Sequence, residues 1–337
     1  MRKMKKFYWL CCFLLPLQLI AQDSTINDLM KGMETAPSNA KLPVRIFNAQ
    51  KTINCYTTEM VGRGKMEFNV SHNFGDIAGN TGGIKRFYGL DASTDIRIGF
   101  HIGLTSRIDL NLARIKGDEL RLRLDTAVGG RQSVELLPAR LFEIALKFLI
   151  LRQLENDPSH PISMALFVNT VVSSEKASTA TDTPRSFEDF GDRLSQVIEL
   201  IIGKKIGKIS VQLSPTLVHY NYVPSYDENT TFALGAAVRI PFSRRFAFLV
   251  DYFHSFISDT KKENYAAPLK QIKFYDPLGV GFEITTAGHI FTLKFTNTSA
   301  ILENQFIPYN SNSWGKGQFR WAFNIGRSFY LWRPKAK

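Results

Sequence analysis

The stretch Asp95-Ile96-Arg97-Ile98-Gly99-Phe100-His101-Ile102-Gly103-Leu104 decides how this chain folds. In an extended strand successive side chains point to opposite faces. Ile96, Ile98, Phe100, Ile102 and Leu104 therefore share one face, and Asp95, Arg97, Gly99, His101 and Gly103 share the other. The split recurs along the chain. Met66, Phe68 and Val70 stand against Glu67, Asn69 and Ser71, and Ile144, Leu146 and Phe148 against Glu143, Ala145 and Lys147. Leu278, Val280, Phe282 and Ile284 oppose Gly279, Gly281, Glu283 and Thr285. Phe291, Leu293 and Phe295 oppose Thr292, Lys294 and Thr296, and the last such strand sets Phe319, Trp321, Phe323 and Ile325 against Arg320, Ala322, Asn324 and Gly326. One face is greasy and aromatic, the other small or charged.

Two all-β architectures use such alternation. In a soluble sandwich the apolar face is the inner one and the polar face meets water. In a membrane barrel the apolar face meets lipid, and the lumen tolerates Gly, Ser, Thr and opposed charges. Glycine recurs on the polar face, where it would weaken a solvated strand for no gain but leaves room in a lumen. The reading is a closed antiparallel transmembrane β-barrel, with outward aromatics among the 26 Phe and 11 Tyr supplying interfacial girdles. Short turns at Thr105-Ser106, Gly203 to Lys208, Pro241 to Arg244 and Ala287-Gly288 alternate with long stretches at 75–94, 117–139, 173–192, 257–276 and 299–317. Short periplasmic turns and long external loops are the barrel pattern. About 12 strands follow (the count could run from 10 to 14), near 65–74, 95–104, 107–116, 140–151, 162–172, 192–203, 206–222, 230–240, 245–256, 277–286, 289–298 and 318–331. An even count puts both ends of the barrel on the periplasmic side.

Residues 1–21 carry Arg2, Lys3, Lys5 and Lys6, then an apolar run from Phe7 to Leu15 broken by Pro16, with a cleavage site expected after Ala21. This is the layout of a secretory signal peptide. Cys11 and Cys12 lie too early in it to accept a lipid. Cleavage leaves Cys55 alone, so an intrachain disulfide is excluded, and Cys55 reads as a small apolar residue. Loss of the four signal-peptide bases lowers the formal charge from +12 to +8. Basic residues are scattered as singles and pairs (Lys204-Lys205, Arg244-Arg245, Lys261-Lys262), which suits a rim facing anionic lipid or lipopolysaccharide rather than nucleic acid. Residues 22–58 read as an N-terminal periplasmic segment or a latch or plug, with a short helix at Ile26 to Met33 and with 47–58 as an extra strand, a latch or a partial plug. The barrel spans 59–332, and 333–337 is a short basic tail.

Several strings resemble a family of Bacteroidetes β-barrel proteins catalogued as a domain of unknown function (DUF5777). They are Ser71-His72-Asn73-Phe74-Gly75-Asp76, Phe87-Tyr88-Gly89-Leu90-Asp91, Gln212-Leu213-Ser214-Pro215-Thr216 and the run from Gly288 to Asn297. The resemblance implies an outer-membrane barrel without an assigned activity, and it carries no catalytic residues. The terminal strand ending Phe329-Tyr330-Leu331-Trp332 is the type of closing strand that barrel-assembly machinery is expected to recognise.

Motifs for phosphate, zinc or a nucleophile elbow are absent from the sequence, so no cofactor or metal is expected and catalytic residues are assigned to none. A lipid-active barrel enzyme would need a nucleophile aligned with a His at the lipid boundary. His254 with Ser255, and His289 with Asn297, are the combinations to test, although neighbours in one strand face opposite ways. Parity points Glu67, Asp109, Glu199, Asp251 and Glu283 inward together with Arg97, Lys147, Arg239, Lys294 and Arg320. Charges in a lipid-walled cylinder are costly unless paired or wet. Paired across the lumen they make a closed scaffold, and on opposed walls they make a field that polarises a small polar solute. The expected function is a narrow or plugged channel for small polar solutes. The alternative is a closed barrel whose external loops, such as 76–94 and 173–192, recognise a partner.

Overall fold

The computed structural model describes residues 41–79, 82–117, 120–121, 136–267 and 272–332. The expected signal peptide, the short helix at Ile26 to Met33 and the basic tail lie outside the described residues. The chain divides into Met1–Leu42 and Pro43–Lys337, and the fold below is that of the second unit.

Alternation sets the strands. Along Arg140–Leu151 the apolar Phe142 and Ile144 are 49% and 54% exposed, while Glu143 and Lys147 on the other face of the same strand are 1% and 0% exposed. A water-soluble fold buries the first pair and solvates the second. The inversion holds around the whole sheet: Ile98, Phe100, Ile198, Leu213, Phe232, Phe282 and Leu293 face outward. Such a surface is stable against lipid.

The strands are β1 (Lys65–Asp76), β2 (Ser93–Gly103), β3 (Ile108–Gly117), β4 (Leu120–Arg121), β5 (Leu136–Leu137), β6 (Arg140–Leu151), β7 (Ser163–Ser173), β8 (Leu194–Ile206), β9 (Ile209–Tyr220), β10 (Thr230–Pro241), β11 (Phe246–Phe256), β12 (Leu278–Thr285), β13 (His289–Thr296) and β14 (Arg320–Tyr330). Twelve of them close an antiparallel barrel, in chain order except that β3 is followed by β6, and β1 pairs with β14 from Lys65↔Tyr330 to Asp76↔Arg320. β4 and β5 pair only with each other, inside the long 117–139 connection. Closure leaves no open edge, which the interior of a bilayer demands. β8 and β9 drop two pairs where β9 carries Pro215, which has no N–H to donate.

The expected strand positions agree with these to within a few residues, with two differences. The turn expected at Gly203 to Lys208 is tighter: β8 runs on to Ile206, and Gly207 (φ 58°) with Lys208 makes a two-residue hairpin. A left-handed φ is what that turn needs and glycine gives at no steric cost. The second difference is larger. The stretch 299–317, read as a polar external loop, turns back into the barrel, and residues 300–313 are buried. Its helix α2 (Glu303–Tyr309) carries Phe306 and Ile307, which the barrel interior takes from water. The other loop helix, α1 (Asp259–Ala266), stays at the mouth, and Lys261 and Tyr265 are its buried residues.

Candidate functional site

The lumen is the candidate site, and its wall is charged. All ten residues assigned inward by parity are buried: Glu67 and Arg239 retain 7% and 8% exposure, the other eight 2% or less. Three further buried acids stand on the wall. Asp95 and Glu143 obey the same parity. Asp76 does not, because a bulge between Asn73 and Asp76 shifts the register and turns an even-numbered residue inward. Thus eight acids (these three with Glu67, Asp109, Glu199, Asp251 and Glu283) face five bases (Arg97, Lys147, Arg239, Lys294, Arg320) among the buried strand residues.

The arginines pair along the wall, not across the lumen. Arg97 reaches Glu143 at 2.8 Å, Arg239 reaches Glu283 at 2.8 Å and Arg320 reaches Asp76 at 2.9 Å. The lysines and two aspartates do something else: they hold the main chain of residues 45–61, which enters at the turn end. Val44 N–H donates to the Gln153 carbonyl there, and Glu59 Oε1 accepts from Ile46 and Phe47 N–H. Lys147 Nζ donates to the carbonyls of Thr57 and Glu59 and to Gln50 Oε1, and Lys294 Nζ donates to the Ile53 carbonyl at 3.1 Å. Asp109 accepts from Val61 N–H.

Residues 50–57 form a hairpin, with Thr52 N–H on the Cys55 carbonyl and Thr57 N–H on the Gln50 carbonyl. Its tip wraps one carboxylate. Asp251 Oδ2 accepts from Thr52 Oγ1 (2.9 Å) and from the N–H groups of Ile53 (3.0 Å), Asn54 (2.5 Å) and Cys55 (3.1 Å). Its Oδ1 accepts from Asn54 Nδ2 (3.0 Å). Converging N–H groups of this kind make an anion nest. The wall is shaped for the tip: a Cβ on Gly279 would lie 2.5 Å from Ile53 Cγ2 and 2.8 Å from Asp251 Oδ1. Side chains behind the tip pack as well, Tyr56 stacking on Phe167 with ring centroids 4.0 Å apart.

From the loop end the inserted stretch 299–313 fills the rest. Phe306, Ile307 and Ala300 pack with Cys55, Ile46 and Phe47 against Val197, Val218, Ala237 and Phe253, while Leu302 packs against Ile115, Leu141 and Val171. Asp95 accepts from Ile301 N–H, and Asn304 bonds Asn169 and Ser195. The two insertions meet at Lys51, whose Nζ lies 2.7 Å from Glu303 Oε1 and 3.1 Å from the Ile301 carbonyl. Among the described residues the space left in the lumen is small. A pocket of about 20 Å³ lies between Leu141, Ser195, Tyr220 and Gln305, and one of about 10 Å³ between Gln50, Glu67, Asn69 and Asn324. Each holds about one water.

The histidine combinations fare differently. His254 points outward and its Nδ1 lies 3.0 Å from Asp276 Oδ2, with the Tyr252 hydroxyl on the same oxygen. Burial would raise the Asp276 carboxyl, but hydrogen bonds from Tyr252, His254 and Ser255 N–H outweigh it and hold the carboxyl below its ordinary value. Ser255, with a buried Oγ, faces the other way, so the two do not meet as nucleophile and base. His289 stacks on Phe291 at one end of β13, and Asn297 donates to the Asp276 and Asn312 carbonyls beyond its other end. Two sets of residues went unread in the sequence. Apolar inward positions such as Val197 and Ile201 are signalled by the near-continuous run Val197 to Ile202, as expected of a strand buried on both faces. Asp227, Lys261, Tyr265 and Tyr309 come from three loops, and no local pattern connects them.

Curated proteins yield no match to the sequence. Among solved structures the chain is similar to the KdgM porin, at 8% identity over 79% of this chain and 99% of that one, with a TM-score of 0.42. It is similar to an outer membrane channel from Pseudomonas putida F1 at 11% identity (81% and 98% covered, TM-score 0.44), and to outer membrane phospholipase A from Escherichia coli at 10% (79% and 93%, TM-score 0.39). The family described as membrane bound beta barrel domain (DUF5777) matches residues 47–329, from the hairpin to the closing strand. With the closed barrel, its lipid-facing surface and that match in hand, the chain belongs to the DUF5777 family of membrane-bound β-barrels.

Proposed function

We propose that this protein is a plugged outer-membrane channel for small polar solutes, closed at rest by the 50–57 hairpin. The observation that carries the reading is the seat of the hairpin tip: one wall carboxylate, Asp251, accepts five hydrogen bonds from it. Asp251 is the one wall group that gathers so many of the tip's polar contacts, so loss of a single carboxylate would loosen the tip most. The wall it would uncover is charged and wettable, which suits ion or solute passage. Export through the cleaved signal peptide, insertion by barrel-assembly machinery and a lipopolysaccharide-facing loop end complete the reading. The enzyme alternative has less to stand on, because the outward His254–Asp276 couple has Ser255 on the opposite face.

The experiment is planar-bilayer conductance of the folded barrel, its folding checked by the gel shift on boiling. The native protein is expected to be nearly silent. A form lacking residues 45–58, and separately Asp251→Ala, should conduct steadily. Folded variants that stay silent even with residues 300–312 removed as well would overturn the channel reading and favour a closed binding scaffold.

A further inference from the structure

One group at the loop end has no part in holding the hairpin. Helix α1 is anchored to the barrel mouth by a lysine. Lys261 is 1% exposed, and its Nζ lies 2.8 Å from Asp227 Oδ1. The same ammonium lies 4.2 Å from the ring centroid of Tyr309, 5.7 Å from Phe274 and 5.8 Å from Tyr265, all within cation–π range. The other oxygen of Asp227 is oriented by the Tyr265 and Tyr309 hydroxyls, at 2.7 and 2.8 Å. A carboxylate fixed by two phenols inside three aromatic rings is the chemistry that recognises an organic ammonium ion. An apolar side chain would anchor a helix without desolvating a charge, so the cage is shaped for the ammonium head and not for the stem.

The pattern recurs deeper in the lumen. Lys51 Nζ has Glu303 and the Ile301 carbonyl as acceptors and lies 4.7 Å from the Tyr56 ring and 6.0 Å from Phe306. Helix α2 connects the two cages: Glu303 and Phe306 serve the inner one and Tyr309 the outer. The wall carries eight buried acids against five bases, an excess that favours cations in an opened lumen.

We infer that the cage of Asp227, Tyr265, Phe274 and Tyr309 is a binding site for small organic ammonium cations, with Lys261 as its tethered occupant. Its place as the entry site of a channel rests on the function proposed above; the site itself does not. A free ammonium ion that displaces Lys261 frees the buried contact by which α1 is charged into the mouth, and an alkylammonium solute is then the class that the inner cage also accepts.

The test uses the full-length folded barrel in detergent. Acylation of Lys261 by an amine-reactive ester is read by peptide mass spectrometry, with tetramethylammonium chloride as the probe because it cannot itself be acylated. Lys261 acylation should rise about tenfold at saturating probe, against sodium chloride of equal ionic strength. Phe274→Leu, which removes one aromatic face, should weaken the response. Acylation unchanged by tetramethylammonium overturns the site. As a second measurement, Lys261→Ala should be heat-stabilised by n-propylammonium, the fragment removed, and not by 1-propanol. Equal stabilisation by both describes a filled hole and also overturns it. The channel reading fails separately: a barrel that never conducts while Lys261 responds leaves the cage standing, and a conducting barrel without that response leaves only the channel.

Discussion

The two segments that fill the lumen share one apolar cluster, in which Cys55 packs with Phe306 and Ile307, but their polar contacts are distributed differently. The hairpin tip hangs on Asp251 and on lysine contacts to its carbonyls, a few charge-assisted hydrogen bonds concentrated at one point. The 299–313 insertion is spread over the wall, with Leu302, Phe306 and Ile307 buried among residues of many strands. Burial is additive and non-directional, so it fails gradually. A nest of donors around one carboxylate fails together, because removing the acceptor leaves the N–H groups of Ile53, Asn54 and Cys55 unsatisfied at once. The hairpin is therefore the segment whose hold a single substitution should loosen most, and the insertion the segment whose hold is spread over many residues.

The strongest way to break this contrast is Asp251→Ala. Each buried donor left unpaired costs about 1–3 kcal/mol. Cys55, wholly buried in the hairpin, reports the result through thiol labelling. A loss of about 3 kcal/mol raises its labelling about a hundredfold; labelling at the native rate would show that side-chain packing, not the nest, holds the hairpin. Gly279→Val should act in the same direction but less, since its side chain pushes on Ile53 and Asp251 while leaving the acceptor in place. Thiol labelling between the native and Asp251→Ala rates is expected.

Phe306→Ala sharpens the other half of the comparison. It should lower heat stability by about 3–5 kcal/mol, the usual cost of truncating a buried Phe, with conductance still near zero. Steady conductance in that variant would make the insertion, not the hairpin, the gate. The smallest effect concerns pH. The Asp276 carboxyl is held below its ordinary 3.8, so the stability it lends the 257–277 loop is present above the unfolded value and lost as pH falls below about 4 through the folded one. Part-exposed, it should contribute little. Protection of that loop against hydrogen exchange, measured relative to the intrinsic rate, should fall below pH 4, and Asp276→Asn should remove that loss.

Most of the barrel was legible because its cause is local. Alternation at Asp95–Leu104 follows from strand geometry alone, and the same parity puts ten charged residues on the wall. The rule failed at Asp76, where one bulge reverses it, and at 299–317, where polarity suggested water and Phe306 with Ile307 went inward. The cage was illegible: Asp227, Lys261 and Tyr309 are ordinary loop residues until the loops meet.

The sequence by itself determined the architecture, because a period of two needs no knowledge of distant residues to choose a face, and a greasy outer face with a charged inner one has a stable home only in a bilayer. The sequence offered 47–58 as a latch or plug; tertiary structure alone decided its seat on Asp251 and brought the 299–313 insertion in beside it. The bonds that do so join residues far apart, Ile53 to Asp251 across 198 positions and Lys51 to Glu303 across 252. Such pairings depend on which side chains closure of the barrel brings within about 3 Å of each other, and no periodicity along the chain encodes that distance.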